Sequence, residues 1–424
     1  MLNAFFTKLR LIAEDAGLRR RILFVVLILA LFRLGAAIFI PGVDHVALER
    51  FFSDNQFFGL LNIFSGGGLS NLSIMMLGVG PFITGSIIMQ LLTLIFPALK
   101  EMYHEDGDAG RRKMAQYSRL LTVPLALIQG FALLTVLDRQ GILLPLSLFD
   151  KLTALLVVTA GSVLLMWMGE LITEYGIGNG ISLLIFSGIM ARIPSTIGQF
   201  AINWSTADLP MILGFVVAGI AIIAGVVIMT EGERPIPITY AKRVRGMKVY
   251  GGVSTYLPIR LNNAGVMPII FALSILLFPQ MIANFLAAST NTILHTISNG
   301  LFAFLNNAWA YALAYFLLVF IFTFFYSAVT FDPKAIADNL QKSGAFIPGI
   351  RPGQQTMDFV AKILYRLTLV GAVFLGVIAM LPLLLKEVTG IQSLAIGGTS
   401  LLIVVSVALE FVKQIDAQLS MREY

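Results

Sequence analysis

Ile74-Met75-Met76-Leu77-Gly78-Val79-Gly80-Pro81-Phe82-Ile83-Thr84-Gly85-Ser86-Ile87-Ile88-Met89-Gln90-Leu91-Leu92-Thr93-Leu94-Ile95-Phe96-Pro97-Ala98-Leu99 runs for 26 residues without a charged side chain. About 20 predominantly apolar residues suffice for a helix to cross the hydrocarbon of a bilayer. Comparable runs recur along almost the whole chain of 424 residues, which is 58% hydrophobic and 12% charged, against roughly 45–50% and 25% in ordinary soluble domains. This composition excludes a soluble protein and predicts an all-α polytopic membrane protein.

Apolar runs bounded by charge or by Pro, Gly and Asn clusters predict ten spans. They cover Ile22 to Ile40, Ile74 to Leu99, Met114 to Leu137, Leu152 to Ile172 and Gly180 to Ile202, then Leu209 to Met229, Ala264 to Ala288, Trp309 to Thr330, Ile363 to Leu385 and Leu394 to Val412. Lys8, Arg10 and Arg19-Arg20-Arg21 precede the first run, and no small-residue cleavage site follows it, so it is expected to be a retained span. With the N-terminus inside, 21 Lys and Arg fall in cytoplasmic segments and five outside (Arg50, Arg139, Lys151, Arg192, Lys386), while Arg33, Arg119 and Arg366 lie within or at the edges of spans. The positive-inside rule therefore places both termini in the cytoplasm. Ten spans divide into residues 1–202 and 203–424, and five being odd, the second set starts from the opposite side, as in an inverted repeat whose site lies at the midplane.

Several chemistries are excluded by what is missing. There is no cysteine, and none of His45, His104 and His295 lies in an apolar run, so no cofactor, metal or redox centre is expected. His104-Glu105 lacks the second histidine of a metalloprotease motif, and Gly66-Gly67-Gly68 lacks the Lys-Ser/Thr of a phosphate loop and reads as a flexible joint. Glu170 and Glu410, at the ends of spans 4 and 10, read as interface anchors rather than a proton relay. No catalytic constellation remains. Against an ion-coupled solute transporter stands this lack of acids at membrane depth, and a receptor or scaffold is the third class considered.

The spans do carry neutral polar residues. Ser86, Gln90 and Thr93 share one face of span 2, Gln129 lies in span 3, and Asn262 and Asn263 open span 7. Such groups support ordinary bundle packing or a weak polar seam between separable helices. Phe57 to Ser65 is apolar but too short to cross; it reads as a re-entrant segment ending in the glycine joint, or as a surface-lying amphipathic one. Two loops, about 231–258 and 331–358, exceed the needs of a connector. In the first, alternation around Lys242, Arg243, Arg245 and Lys248 predicts a projecting hairpin. The second holds a short helical pattern, Ala335 to Lys342, ended by Gly344. Basic projecting loops suit an acidic partner such as a ribosomal RNA surface or a motor protein.

At these residues the chain resembles the SecY/Sec61-alpha family, central subunits of protein-conducting channels. The stretches are Leu61-Asn62-Ile63-Phe64-Ser65-Gly66-Gly67, Ser86 to Leu92, Gly176 to Ser182, Tyr240-Ala241-Lys242-Arg243, Ala337-Asp338-Asn339-Leu340 with Gly344 to Gly353, and Gly397 to Val405. The resemblance implies an hourglass pore between two pseudo-symmetric inverted five-helix halves, hinged between spans 5 and 6, with a lateral gate where spans 2 and 3 meet 7 and 8. It implies a plug over about residues 57–73, a pore ring of Ile83, Ile87, Ile185, Ile189, Ile270 and Ile403, and gate residues Ser86, Gln90, Gln129, Asn262 and Asn263. It also implies docking of the SecA ATPase and the ribosome through Lys242, Arg243, Arg245, Lys248, Lys342 and Arg351, with the small subunits SecE and SecG and signal-bearing chains as further partners, in a bacterial inner membrane. One departure is Leu77-Gly78-Val79-Gly80, where relatives commonly carry a bulkier residue before the proline; it is expected to soften the start of span 2.

Overall fold

The computed structural model describes residues 14–420 apart from 42, 44–47, 49–61, 63–64, 70, 105–106, 144–146, 192, 195–197, 199–208, 241–242, 246–247, 251–253, 263–264, 288–290 and 390–391. Helix α1, Ala16–Ala36, begins six residues before the expected span. Asp15 caps it, its carboxylate accepting from the amides of Gly17 at 2.7 Å and Leu18 at 3.1 Å. That satisfies donors a helix start leaves open and draws Arg19, Arg20 and Arg21 into the first turns, where they are exposed.

The decisive stretch is two structures rather than one. Residues 71–79 form successive turns, with Leu72 at φ 43, and helix α2 spans only Gly80–Ile95, with Pro81 in its first turn. Phe96 is extended (φ −105, ψ 112), as the residue before a proline prefers. Pro97 then starts α3, Pro97–His104, bent 109° from α2. Helix α4 runs Gly107–Arg139. Helix α5, Leu148–Tyr175, opens on a reciprocal Ser147–Asp150 capping box. Helix α6 is Gly180–Met190, capped by Asn179; most of the rest of the expected span to Ile202 lies outside the described residues.

Helix α7, Leu209–Glu231, leads into strand β1, Glu233–Tyr240. Strands β2, Arg243–Arg245, and β3, Lys248–Tyr250, pair antiparallel, and β4, Ser254–Arg260, returns along β1 from Thr239↔Ser254 to Glu233↔Arg260. The expected hairpin is therefore present. Beyond it come α8, Met267–Leu286, and α9, Thr292–Asn306, which no expected span covers, followed by α10, Ala308–Thr330. The short helix of the second loop is α11, Pro333–Lys342, ending just before Gly344 at φ +68. Strand β5, Ala345–Phe346, α12, Gln354–Thr389, and α13, Gln392–Ser420, complete the chain.

Each of the ten proposed spans thus holds a described helix. Among the described residues, α4, α5, α10 and α12 are long and apolar enough to cross a membrane alone, and α2 with α3 makes a fifth if the bent pair counts as one. Large apolar side chains face outward in helical rows: Leu23, Leu27 and Leu31 on α1, and Leu313, Leu317 and Ile321 on α10, are 43–60% exposed. Apolar surface of this extent is stable only against lipid, so the chain is a multi-pass membrane protein. The largest buried cluster draws on α1, α2, α5, α6, α7, α8, α10, α12 and α13. A separate cluster of Ile236, Ile259, Ile347, Val360, Ile363 and Leu364 seats the sheet on α12.

Candidate functional site

Ile83 and Ile87 stand one turn apart on α2, and Ile185 and Ile189 one turn apart on α6. Ile270 comes from the second turn of α8 and Ile403 from the middle of α13. All six are at most 7% exposed and belong to one apolar cluster. The elements carrying them touch in pairs: α2 packs on α8, and α6 on α13.

Against this cluster lies the end of the segment expected to be a plug. Leu61, Ile63 and Phe64, with the start of that segment, fall outside the described residues, whereas Asn62, Ser65, Gly66 and Gly67 are described and buried. Ser65 Oγ donates to the Asn62 carbonyl at 3.0 Å and accepts from Leu69 N–H at 2.9 Å; Gly67 N–H donates to the Asn62 carbonyl at 2.9 Å. Ser73 continues the folding-in, its hydroxyl donating to Gly68 O at 3.0 Å. Met75 and Val79 join the cluster of the six isoleucines, while Leu69, Leu72, Met76 and Leu77 fill a second one. Asn62, residues 65–69 and Leu72 to Val79 are thus largely interior, while most of Phe57 to Phe64 lies outside the described residues.

Arg33 was missed as a functional residue. From α1 its guanidinium donates to the carbonyls of Gly66 and Gly188, each at 3.0 Å, and to that of Ser187, and it sits 5.3 Å from the centre of the Phe32 ring. One cation therefore ties the turn after Asn62 to the last turn of α6, whose C-terminal carbonyls attract positive charge. The approach is close because two glycines meet: Gly66 at φ +63 lies against Gly188, and a methyl on Gly188 would collide with the Gly66 backbone. The available signal was a lone arginine in an apolar run, a costly placement that demands acceptors.

The expected gate residues are only partly brought together. Ser86 and Gln90 lie on α2, which packs on α4 and α8. Gln90 Oε1 is buried without a hydrogen-bond partner. Asn262 donates to Gly265 O at 3.2 Å, and its own carbonyl oxygen is buried and unpartnered; Asn263 lies outside the described residues. Gln129 is elsewhere: its Oε1 is the one atom near Gly80, at the start of α2, and ten residues of helix, ~15 Å, separate Gly80 from Gln90. A Cβ on Gly80 would meet this oxygen alone, at 4.0 Å. Glu170 pairs with Arg119, which ties α5 to α4.

The two basic loops form one platform. Thr239 pairs with Phe346 and Tyr240 with Ala345, so β5 of the second loop extends the sheet of the first. Arg243 lies on β2, and Arg245 faces Lys248 across the tip of β2–β3. Lys342 ends α11 and is exposed, as is Arg351 in the following turn; Lys242 lies outside the described residues.

Known proteins share this fold. The SecY family model matches residues 73–412. The protein translocase subunit SecY of Thermus thermophilus is 44% identical over 100% of this chain and 97% of its own. That of Mycobacterium bovis is 41% identical over 100% and 99%. Among solved structures, a protein-conducting channel superposes with TM-score 0.62 at 18% identity over 93% of this chain and 91% of that one. A SecY protein whose plug domain stabilises the closed state of the translocation channel also gives 0.62, at 19% identity with the same coverage. Sec61 from a canine ribosome–channel complex gives 0.58 at 17%, again over 93% and 91%. With the family model covering most of the chain and relatives aligned end to end, the chain belongs to the SecY family.

Proposed function

We propose that this chain is the protein-conducting subunit of a translocase, passing unfolded signal-bearing polypeptides across the membrane and releasing apolar segments sideways into lipid. The observation that carries the reading is the buried turn around Gly66, clamped by Arg33 to α6 beside an all-isoleucine cluster. A ring of Ile83, Ile87, Ile185, Ile189, Ile270 and Ile403 gates by dewetting and deforms around a passing chain. Residues around 57–73 are the plug, and α2 with α4 part from α8 with α10 as the lateral gate. A segment entering that gate partitions by its transfer free energy.

On this reading ten spans form two inverted halves, residues 1–202 and 203–424, joined by a hinge that falls in residues outside the described set. Both termini are cytoplasmic, in a bacterial inner membrane. The chain is not itself an enzyme; a ribosome or the SecA ATPase supplies the energy, docking on the platform of Arg243, Arg245, Lys248, Lys342 and Arg351, with Lys242 beside it. SecE and SecG are the small partners that hold a separable gate together.

Single-channel conductance in planar bilayers tests this. The native chain is expected to be nearly silent, and Ile83→Gly with Ile270→Gly, or deletion of residues 62–70, to leak ions. Folded variants that stay silent would overturn the ring and plug assignments.

A further inference from the structure

Helix α9, Thr292–Asn306, contains no Lys, Arg, Asp or Glu. It stands at the end of the bundle opposite the sheet, because α8 leads into it from β4 and α10 leads away from it toward α11 and β5. Leu294, Ser298, Leu301 and Leu305, at i, i+4, i+7 and i+11, share its inner face. Ser298 is fully buried there, and its hydroxyl donates to the Ala283 carbonyl of α8 at 2.8 Å. To one side of that face Ile293, Ile297 and Phe304 form an apolar flank, 69%, 48% and 44% exposed. To the other stand Thr292, His295 and Asn299, all exposed, with the Asn299 amide 3.2 Å from His295 Nδ1. Among the described residues no buried apolar cluster takes in a side chain of α9, so packing within the chain leaves the apolar flank uncovered.

We propose that α9 lies flat in the interface of the leaflet opposite the sheet, with Ile293, Ile297 and Phe304 set into the acyl boundary, and that this seat is independent of lipid charge. Lipid is the occupant because the flank continues a surface that already faces it. Asn307 alone separates α9 from α10, whose outward row of Trp309, Leu313, Leu317 and Ile321 is 48–64% exposed. Trp309 opens that row, and tryptophan favours the membrane–water interface. The 23 residues of α10 rise ~35 Å against a hydrocarbon thickness of ~30 Å, so its first turn reaches the boundary. A helix of 15 residues is too short to cross, and one with an apolar and a polar flank settles in the plane of the interface. Helices of this kind commonly add basic residues that attract anionic headgroups; α9 has none, which leaves buried apolar area to hold it. Through Ser298 the seat also fixes the far end of α8, the helix that carries Ile270 in its second turn. The inference needs only that the chain crosses the membrane, not that it conducts.

Spin labelling of the full chain in vesicles decides it. The chain has no cysteine, so Ile293→Cys, Ile297→Cys, Phe304→Cys, Thr292→Cys and Asn299→Cys each carry a single nitroxide. Electron paramagnetic resonance then reads collisions with oxygen, which concentrates in hydrocarbon, and with a water-soluble nickel chelate. Labels at 293, 297 and 304 are expected about 5–10 Å into the headgroup–acyl boundary, and those at 292 and 299 in water. The depths should be the same in phosphatidylcholine vesicles and in vesicles with added phosphatidylglycerol. Thermal midpoints matching the parent chain show that the variants are folded, and three positions on the flank keep the test open if one of them unfolds. Equal access of the nickel chelate to all five labels would overturn the proposal. Labels at 293, 297 and 304 shielded from both reagents would overturn the lipid assignment in favour of a protein partner, a second copy of this chain included. Immersion in the anionic vesicles alone would overturn the independence from lipid charge.

Discussion

The turn around Gly66 and the polar face of α2 lie in the same bundle, and they are held in opposite ways. At the first, one guanidinium serves three carbonyls and two glycines meet backbone to backbone. At the second, Gln90 leaves a buried oxygen unpartnered, and Asn262 leaves another at the start of α8. A cation with its acceptors in place favours one geometry, whereas a buried polar atom without a partner costs roughly 1–3 kcal/mol. The contrast is between a turn held by one cation and a helix face that leaves a polar atom without a partner.

The strongest way to break this contrast is to remove the clamp. Arg33→Leu takes the cation from the carbonyls of Gly66 and Gly188 and from that of Ser187, which still accepts from Ala191 N–H; it is expected to lower stability by about 2–3 kcal/mol and to make the idle protein leak ions, read by thermal unfolding and by conductance. Arg33→Lys, a point charge without the fork, should fall between. A smaller loss, about 1–3 kcal/mol from overpacking, is expected for Gly188→Ala, again with leak, because the Gly66 turn must retreat from α6. At the other seam the sign reverses. Gln90→Leu should stabilise the closed protein by about 1 kcal/mol by removing the orphaned oxygen, seen as a raised unfolding midpoint and slower transport; destabilisation would show that Gln90 is well served and erase the contrast. The smallest effect, within about 0.5 kcal/mol, is expected for Lys413→Gln, whose pair with Glu231 at 2.9 Å joins α13 to α7 through side chains 31% and 48% exposed.

Several parts of this molecule were legible residue by residue. The long apolar runs mark the helices, because hydrocarbon admits no unpaired backbone. Alternation marks the hairpin from Glu233 to Arg260, and Gly344 marks the end of α11. Failures came where a local rule met a competing one. Gly78 and Pro81 delay α2 to Gly80, inside an unbroken apolar run, and Pro97 cuts it off at Phe96. Helix α9 is amphipathic and was passed over in a search for apolar runs. Ser298 on this helix reaches the Ala283 carbonyl at 2.8 Å, a bond no spacing reveals.

Of the site, the six isoleucines could be named in advance only through the family resemblance, because a motif carries its position, whereas the basic loop residues show in their own charge. Their relations could not. Arg33 lies 33 residues from Gly66 and 155 from Gly188, and nothing in the intervening sequence says that they meet. Gln129, placed with Gln90 by chemistry, lies by Gly80 because α4 runs past α2 in the opposite direction. The two loops become one platform only when β5 adds to β1 and the sheet is seated on α12. Membrane class and the chemistry on offer follow from local composition and period. Which carbonyls a cation clamps, and which strands share a sheet, depend on contacts between residues far apart in the chain, which only the packed fold brings together.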